Sequence, residues 1–147
     1  MKKHAAFLSL CFVALLALAA CGGNSGRAGD AADSFTAAVT NRAEEEILGL
    51  HLEYRIGGEP LGGGEVLLAN GGPVPAGETL LWTFGPENFP PETDPSDFSM
   101  EIFVILPDRS QVPCGGLISF AARYGEEYAY TLLGDFHQGF SLTAEES

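Results

Sequence analysis

The clearest pattern in the chain is Leu48, Leu50, Leu52, Tyr54 and Ile56 at every second position, with Gly49, His51, Glu53 and Arg55 between them. A period of two predicts a β-strand with one buried face; a helix would scatter the same leucines around its circumference. The pattern stops at Gly57-Gly58. Thr79–Phe84 puts Leu80, Trp82 and Phe84 on one side. It follows Pro73-Val74-Pro75-Ala76-Gly77-Glu78, where proline fixes φ and glycine permits φ > 0, so a turn feeds a strand. Phe98–Leu106 is almost continuously apolar, the pattern of a central strand buried on both faces. Pro107–Ser110 reads as a turn, and Gln111–Cys114 as a short returning strand. Tyr128–Leu133 alternates until Gly134-Asp135, Gly139–Thr143 supplies a last strand, and Phe35–Val39 a first. Gly57–Gly72 and Gly85–Ser96 read as long loops, and Leu117–Tyr124 has room for one helical turn.

About seven short strands separated by Gly, Pro and Asp, with no helical period over three turns, predict an all-β domain over residues 35–147. At this length the expected architecture is an immunoglobulin-like antiparallel β-sandwich. The Cys…Trp…Cys spacing of antibody domains is absent, so the likeness is architectural, and an OB-like or other small barrel is the alternative.

The hydrophobic pattern ahead of the domain is of another kind. Lys2 and Lys3 precede an apolar run from Ala5 to Ala20 broken only by Ser9. A short charged start and an apolar core of this length read as a secretory signal peptide; spanning a bilayer takes roughly 20 apolar residues. The run ends in Leu18-Ala19-Ala20-Cys21-Gly22, which resembles the lipobox of bacterial lipoproteins. That resemblance implies cleavage after residue 20 and acylation of the Cys21 thiol with diacylglycerol. Two or more acyl chains, each contributing ~0.8 kcal/mol per buried CH₂, anchor stably. The expected localisation is therefore the extracytoplasmic face of a cell membrane. Residues 21–34, small and polar without hydrophobic period, read as a flexible tether with a mean span of roughly 20 Å.

The formal charge is −13. Removal of residues 1–20 takes both lysines and leaves five arginines against twenty carboxylates, a net −15. Phosphate backbones are bound by Lys and Arg clusters, so nucleic acid is excluded as a partner. No polybasic stretch offers a second membrane signal. Of three cysteines, Cys11 lies in the expected signal, and the lipobox resemblance implies that Cys21 carries lipid. Cys114 is left without an intrachain partner, so an apolar core must hold the domain without disulfides. Cys114 itself reads as a small, half-buried hydrophobe at a strand end.

The domain also resembles a loose group of bacterial lipoprotein sandwich modules. The residues carrying that resemblance are Val39-Thr40-Asn41, the Ile47–Ile56 strand, Pro73-x-Pro75-Ala76-Gly77-Glu78, Phe103-Val104-Ile105, and Gly134-Asp135 before Gly139-Phe140-Ser141-Leu142. It departs from them in its Gly57–Gly72 and Gly85–Ser96 segments. The resemblance implies fold and location, and no substrate.

Candidate chemistry is sparse. Gly62-Gly63-Gly64 precedes no helix that would hold a phosphate, and neither a Gly-x-Ser-x-Gly elbow nor a His-Glu-x-x-His pair occurs. No cofactor is expected. A calcium site on Glu92, Asp94 and Asp97, with Glu87 nearby, is the best-motivated metal reading because hard oxygens recur at short spacing. A soft copper-type site would need His51, His137, Met100 and Cys114 to converge. The leading reading is a non-enzymatic binding or interaction module of the cell envelope. In it, the loops Gly57–Ala76 and Gly85–Ser96 meet an envelope protein or small ligand, and Phe89 and Trp82 are the candidate aromatic anchors. A metal or small-ligand carrier is the alternative. Hydrolase and protease-inhibitor readings, the latter on the Gly85–Ser96 loop, rest on composition and loop shape alone.

Overall fold

The computed structural model describes residues 33–145. The signal peptide 1–20, the lipidation site Cys21 and nearly all of the tether 21–34 lie outside the described residues. Nine strands form: β1 (Phe35–Asn41), β2 (Gly49–Ile56), β3 (Glu59–Leu67), β4 (Thr79–Phe84), β5 (Phe98–Ile105), β6 (Gln111–Pro113), β7 (Ile118–Phe120), β8 (Glu127–Asp135) and β9 (Gly139–Ala144). They make two sheets, one in the order β4-β1-β8-β9, the other β3-β2-β5-β6 with β7 beside β5. The domain is thus an all-β, two-sheet sandwich. Its pairings are antiparallel except β1 with β8, which both run away from the same end. We call the end where β1 starts proximal and the opposite end distal.

The core follows from the alternation. Phe35, Ala37 and Val39 of β1, Leu50 and Leu52 of β2, and Phe98, Met100, Ile102 and Val104 of β5 are buried between the sheets. So are Tyr130 and Leu132 of β8 and Phe140 of β9. In β5, burial on both faces holds in part: of the outward-facing residues Ser99 is buried at 6% exposure, while Glu101 and Phe103 are half-buried. Ile105 on that outer face is covered, at 2% exposure, where Gln111 of β6 donates to Glu65 of β3 at 3.1 Å across the two strands between them.

Two segments differ from expectation. Gly57–Gly72 is mostly β3, an edge strand along β2, with only the tight turn Gly57-Gly58 preceding it. Its glycines erase side-chain period but suit the position: a Cβ on Gly62 would stand 3.1 Å from the Tyr54 ring, which occupies that space. Leu117–Tyr124 holds the three-residue strand β7, which covers the proximal half of β5's edge, rather than a helical turn.

Loop Gly85–Asp97 contains two single-turn 3-10 helices, Pro86–Asn88 and Pro95–Asp97. It is tied down from below. Tyr54 donates its hydroxyl to the Asn88 carbonyl at 3.0 Å, and Phe89, 8% exposed, enters an aromatic cluster centred on Phe35. The Phe35 ring lies 5.1 Å from Phe84, 5.1 Å from Phe98 and 6.2 Å from Phe89. At the distal end Asn41, 4% exposed, has the matching role. Its amide donates to the carbonyls of Val74 (2.9 Å) and Pro75 (3.4 Å), and its side-chain oxygen accepts from the Ala43 amide at 3.0 Å. The motif residues Asn41, Pro75 and Glu78 thus meet in one knot that clamps the β3–β4 loop.

Candidate functional site

The loops read as one partner surface do not form one. Leu68–Ala76 lies at the distal end, while Gly85–Ser96 closes the proximal end, beside the start of β1. Phe89 is not an exposed anchor: four rings, of Phe35, Tyr54, Phe84 and Phe98, stand 6.0–6.4 Å from its own. Trp82 is half-buried on the inward side of β4, packed against the core, with its indole Nε1 buried and unpartnered.

The acidic loop is organised differently from a cation cage. Asp94 accepts from the Ser96 amide at 2.9 Å and so caps the second 3-10 turn. The Asp97 carbonyl accepts from the Gly57 amide, and Glu92 is exposed with φ 62°. Among the described residues no three His, Cys, Asp or Glu side chains converge in a way that could hold a metal ion. His137 is exposed, and His51 is half-buried against the Phe103 ring with Nε2 3.7 Å from Glu53. Cys114 is fully rather than half buried, at 2% exposure, and burial pushes its thiol up to about 12, so it is a packing residue and no nucleophile at neutral pH.

The most developed exposed feature is at the distal end. The β5–β6 turn closes through Arg109 N to the Leu106 carbonyl (2.8 Å) and Leu106 N to the Ser110 carbonyl (3.0 Å), with Arg109 at φ 69°. Asp108 accepts from both the amide and the hydroxyl of Ser110. In the β8–β9 turn, Asp135 accepts from the amides of His137 and Gln138, each at 2.7 Å, a local Asx arrangement. That turn holds Phe136 outward, 55% exposed, while its amide donates to Glu45 at 2.6 Å.

Between these turns lies a hollow of about 540 Å³ lined by Glu45, Leu106, Pro107, Asp108, Ser110, Val112 and Phe136. Its floor is apolar and its rim carries carboxylates. The Ser110 hydroxyl and amide hold Asp108 below the ordinary carboxylate pKa, and the Gln138 amide does most to hold Asp135 below it, so both stay ionised. The Ser110 hydroxyl is tied to Asp108 within the turn, and the hollow can seat an apolar side chain beside a positive charge. Sequence reasoning missed it because Phe136 reads as one more turn residue, and Leu106, Val112 and Phe136 are brought together only by the sandwich.

Among the described residues a hollow of about 490 Å³ also lies along β2 and β3 over Glu53, Arg55 and Gly63, and another of about 370 Å³ lies at Glu126–Tyr130 and Glu145. No helix among the described residues is long and apolar enough to cross a membrane.

No family model matches the chain, and no curated protein matches it. Among solved structures, the chain is similar to a protein from Eubacterium rectale determined by NMR (TM-score 0.46, 9% identity, 82% of this chain and 96% of that one). It is also similar to a disulfide-locked mutant of intermedilysin solved with human CD59 (TM-score 0.39, 7% identity, 76% of this chain). A third is pneumolysin (TM-score 0.38, 9% identity, 78% of this chain). The chain spans 24% of the length of each of the last two.

Proposed function

We propose that the protein is an extracytoplasmic lipoprotein, anchored to the membrane through Cys21, whose sandwich is a non-enzymatic binding module of the cell envelope. The observation that carries the reading is Leu18-Ala19-Ala20-Cys21 directly behind a short apolar run headed by two lysines. Support for the binding role comes from the site chemistry: among the described residues the Cys114 thiol is buried and held protonated, and the most apolar of the hollows described offers an aromatic edge with a carboxylate rim. Residue 34 immediately precedes β1, so a chain tethered at Cys21 leaves the membrane at the proximal end. The Phe136 hollow lies at the opposite, distal end of the sandwich, away from the point where the tether joins it.

Two substitutions test the two halves separately. Cys21→Ser moves the chain from the membrane fraction to the soluble fraction; retention in the membrane removes the anchor. Phe136→Ser reduces recovery of envelope proteins by the membrane-bound chain at least tenfold without lowering its melting temperature. Unchanged recovery removes the distal hollow as the binding surface.

A further inference from the structure

The distal hollow joins a preformed apolar wall to charge of one sign. Leu106, Pro107, Val112 and Phe136 make the wall, and Phe136 is one of the four large hydrophobic side chains exposed among the described residues. The Asp135 turn fixes the backbone that carries this ring, and the Phe136 amide donates to Glu45 in the connection between β1 and β2. That bond ties together two connections 91 residues apart in sequence, so little ordering is left for a ligand to impose. Glu45 and Asp108 line the hollow, and among the described residues no cationic side chain does. Asp135 precedes Phe136, and exposed Glu44 and Glu46 flank Glu45. Arg109 and His137, next in sequence to Asp108 and Phe136, are exposed and stand outside the lining.

We propose that this hollow, taken as the binding surface proposed above, receives a basic segment of another protein: one apolar side chain flanked by lysine or arginine. The carboxylates come from three separate connections, β1–β2, β5–β6 and β8–β9. Among the described residues no three such side chains converge as metal ligands do. One metal ion or small amine therefore cannot meet them all, whereas a chain segment with cations on both sides of an apolar anchor can. The hollow's volume of about 540 Å³ lies within the range of roughly 300–1,000 Å³ found for ligand sites, enough to seat one large side chain. Burial of an exposed ring against that side chain supplies most of the affinity. The carboxylates set the choice of partner and the rate of encounter. Anionic lipid headgroups would meet this rim as like charge, and a second copy of the chain would bring its own net −13.

The test is fluorescence anisotropy of dye-labelled short peptides titrated with the full chain in non-ionic detergent. In the basic probe a central leucine is flanked by two arginines on each side. Comparison peptides carry glutamine or glutamate in place of the arginines, or glycine in place of the leucine. The basic leucine peptide binds at least tenfold more tightly than each of the others, and added salt weakens it. Phe136→Ser weakens it about tenfold. Glu45→Gln with Asp108→Asn, which keep acceptors for the turn hydrogen bonds, weaken it about fivefold. Glu59→Gln with Glu127→Gln removes as much charge at the proximal end and leaves binding unchanged. Near-UV circular dichroism verifies the folding of each variant. Equal binding of the basic and acidic leucine peptides, both lost in Phe136→Ser, keeps the hollow as a binding surface and overturns the basic partner. Equal weakening by the distal and proximal charge pairs assigns the attraction to the whole chain and overturns it too. So does failure of the basic peptide, or capture of phosphatidylglycerol vesicles in its place, while Phe136 still governs recovery of envelope proteins. Recovery that no longer depends on Phe136 removes the surface itself, and the proposal with it.

Discussion

Phe89→Ala separates a core role from a surface role with one number. Phe89 is 8% exposed, with four aromatic rings 6.0–6.4 Å away. Withdrawing a phenylalanine side chain of this burial from water contributes ~2–3 kcal/mol. The gap left among neighbours that collapse only in part raises the loss, so that Phe→Ala in a core costs ~3–5 kcal/mol. The residue sits on a loop between two proline-led turns, which gives some freedom to close the gap and puts the expected loss at ~3–4 kcal/mol. A domain of this size loses ~4 °C of melting temperature per kcal/mol, so the transition falls by ~12–16 °C. Urea unfolding followed by Trp82 fluorescence measures it, with an unchanged slope indicating that the same surface is exposed on unfolding. A loss under ~1 kcal/mol would show that the ring contributes little to the core and refute the packing argument.

Asn41→Ala leaves the buried Val74 carbonyl without a partner and frees the β3–β4 loop; it costs ~2–3 kcal/mol in the same titration, and no measurable loss would show that the knot is not what holds the loop. Cys114 resists iodoacetamide at pH 8 in the folded protein and reacts once urea unfolds it; rapid labelling of the native chain would contradict its burial. Asp135 has its folded pKa lowered by its turn hydrogen bonds, so its contribution is present above the ordinary carboxylate value of 3.8 and is lost as pH falls through the lower folded value. Stability measured from pH 6 to pH 2 accordingly declines in the acid window below 3.8, and Asp135→Asn shrinks that decline; identical acid limbs would remove Asp135 as a contributor.

The parts of the fold legible in the sequence were those where one strand face meets the core and the other meets water. Leu50, Leu52 and Tyr54 announce β2, and Leu80, Trp82 and Phe84 announce β4, because each strand carries its own period. Strand β3 was hidden because Gly62–Gly64 have no side chains to alternate; its register is supplied by β2, and the space above Gly62 by Tyr54. Strand β7 is three residues long, too short for a period to register. The candidate site was less legible, for a physical reason. Phe89 and Phe136 both sit in polar, turn-rich stretches, and local sequence does not distinguish a ring that folds inward from one held outward. The first is decided by a cluster drawn from Phe35, Phe84 and Phe98, the second by an Asp135 turn and the Glu45 carboxylate.

The chemical state of Cys21 is the most direct test of the proposed anchor. Intact-mass and peptide mass spectrometry of the protein extracted from membranes with detergent reads it out. The expected result is a mature chain that begins at Cys21 and carries a diacylglyceryl mass on that residue. A peptide containing residue 21 with a free thiol, in a chain that still retains residues 1–20, would contradict it.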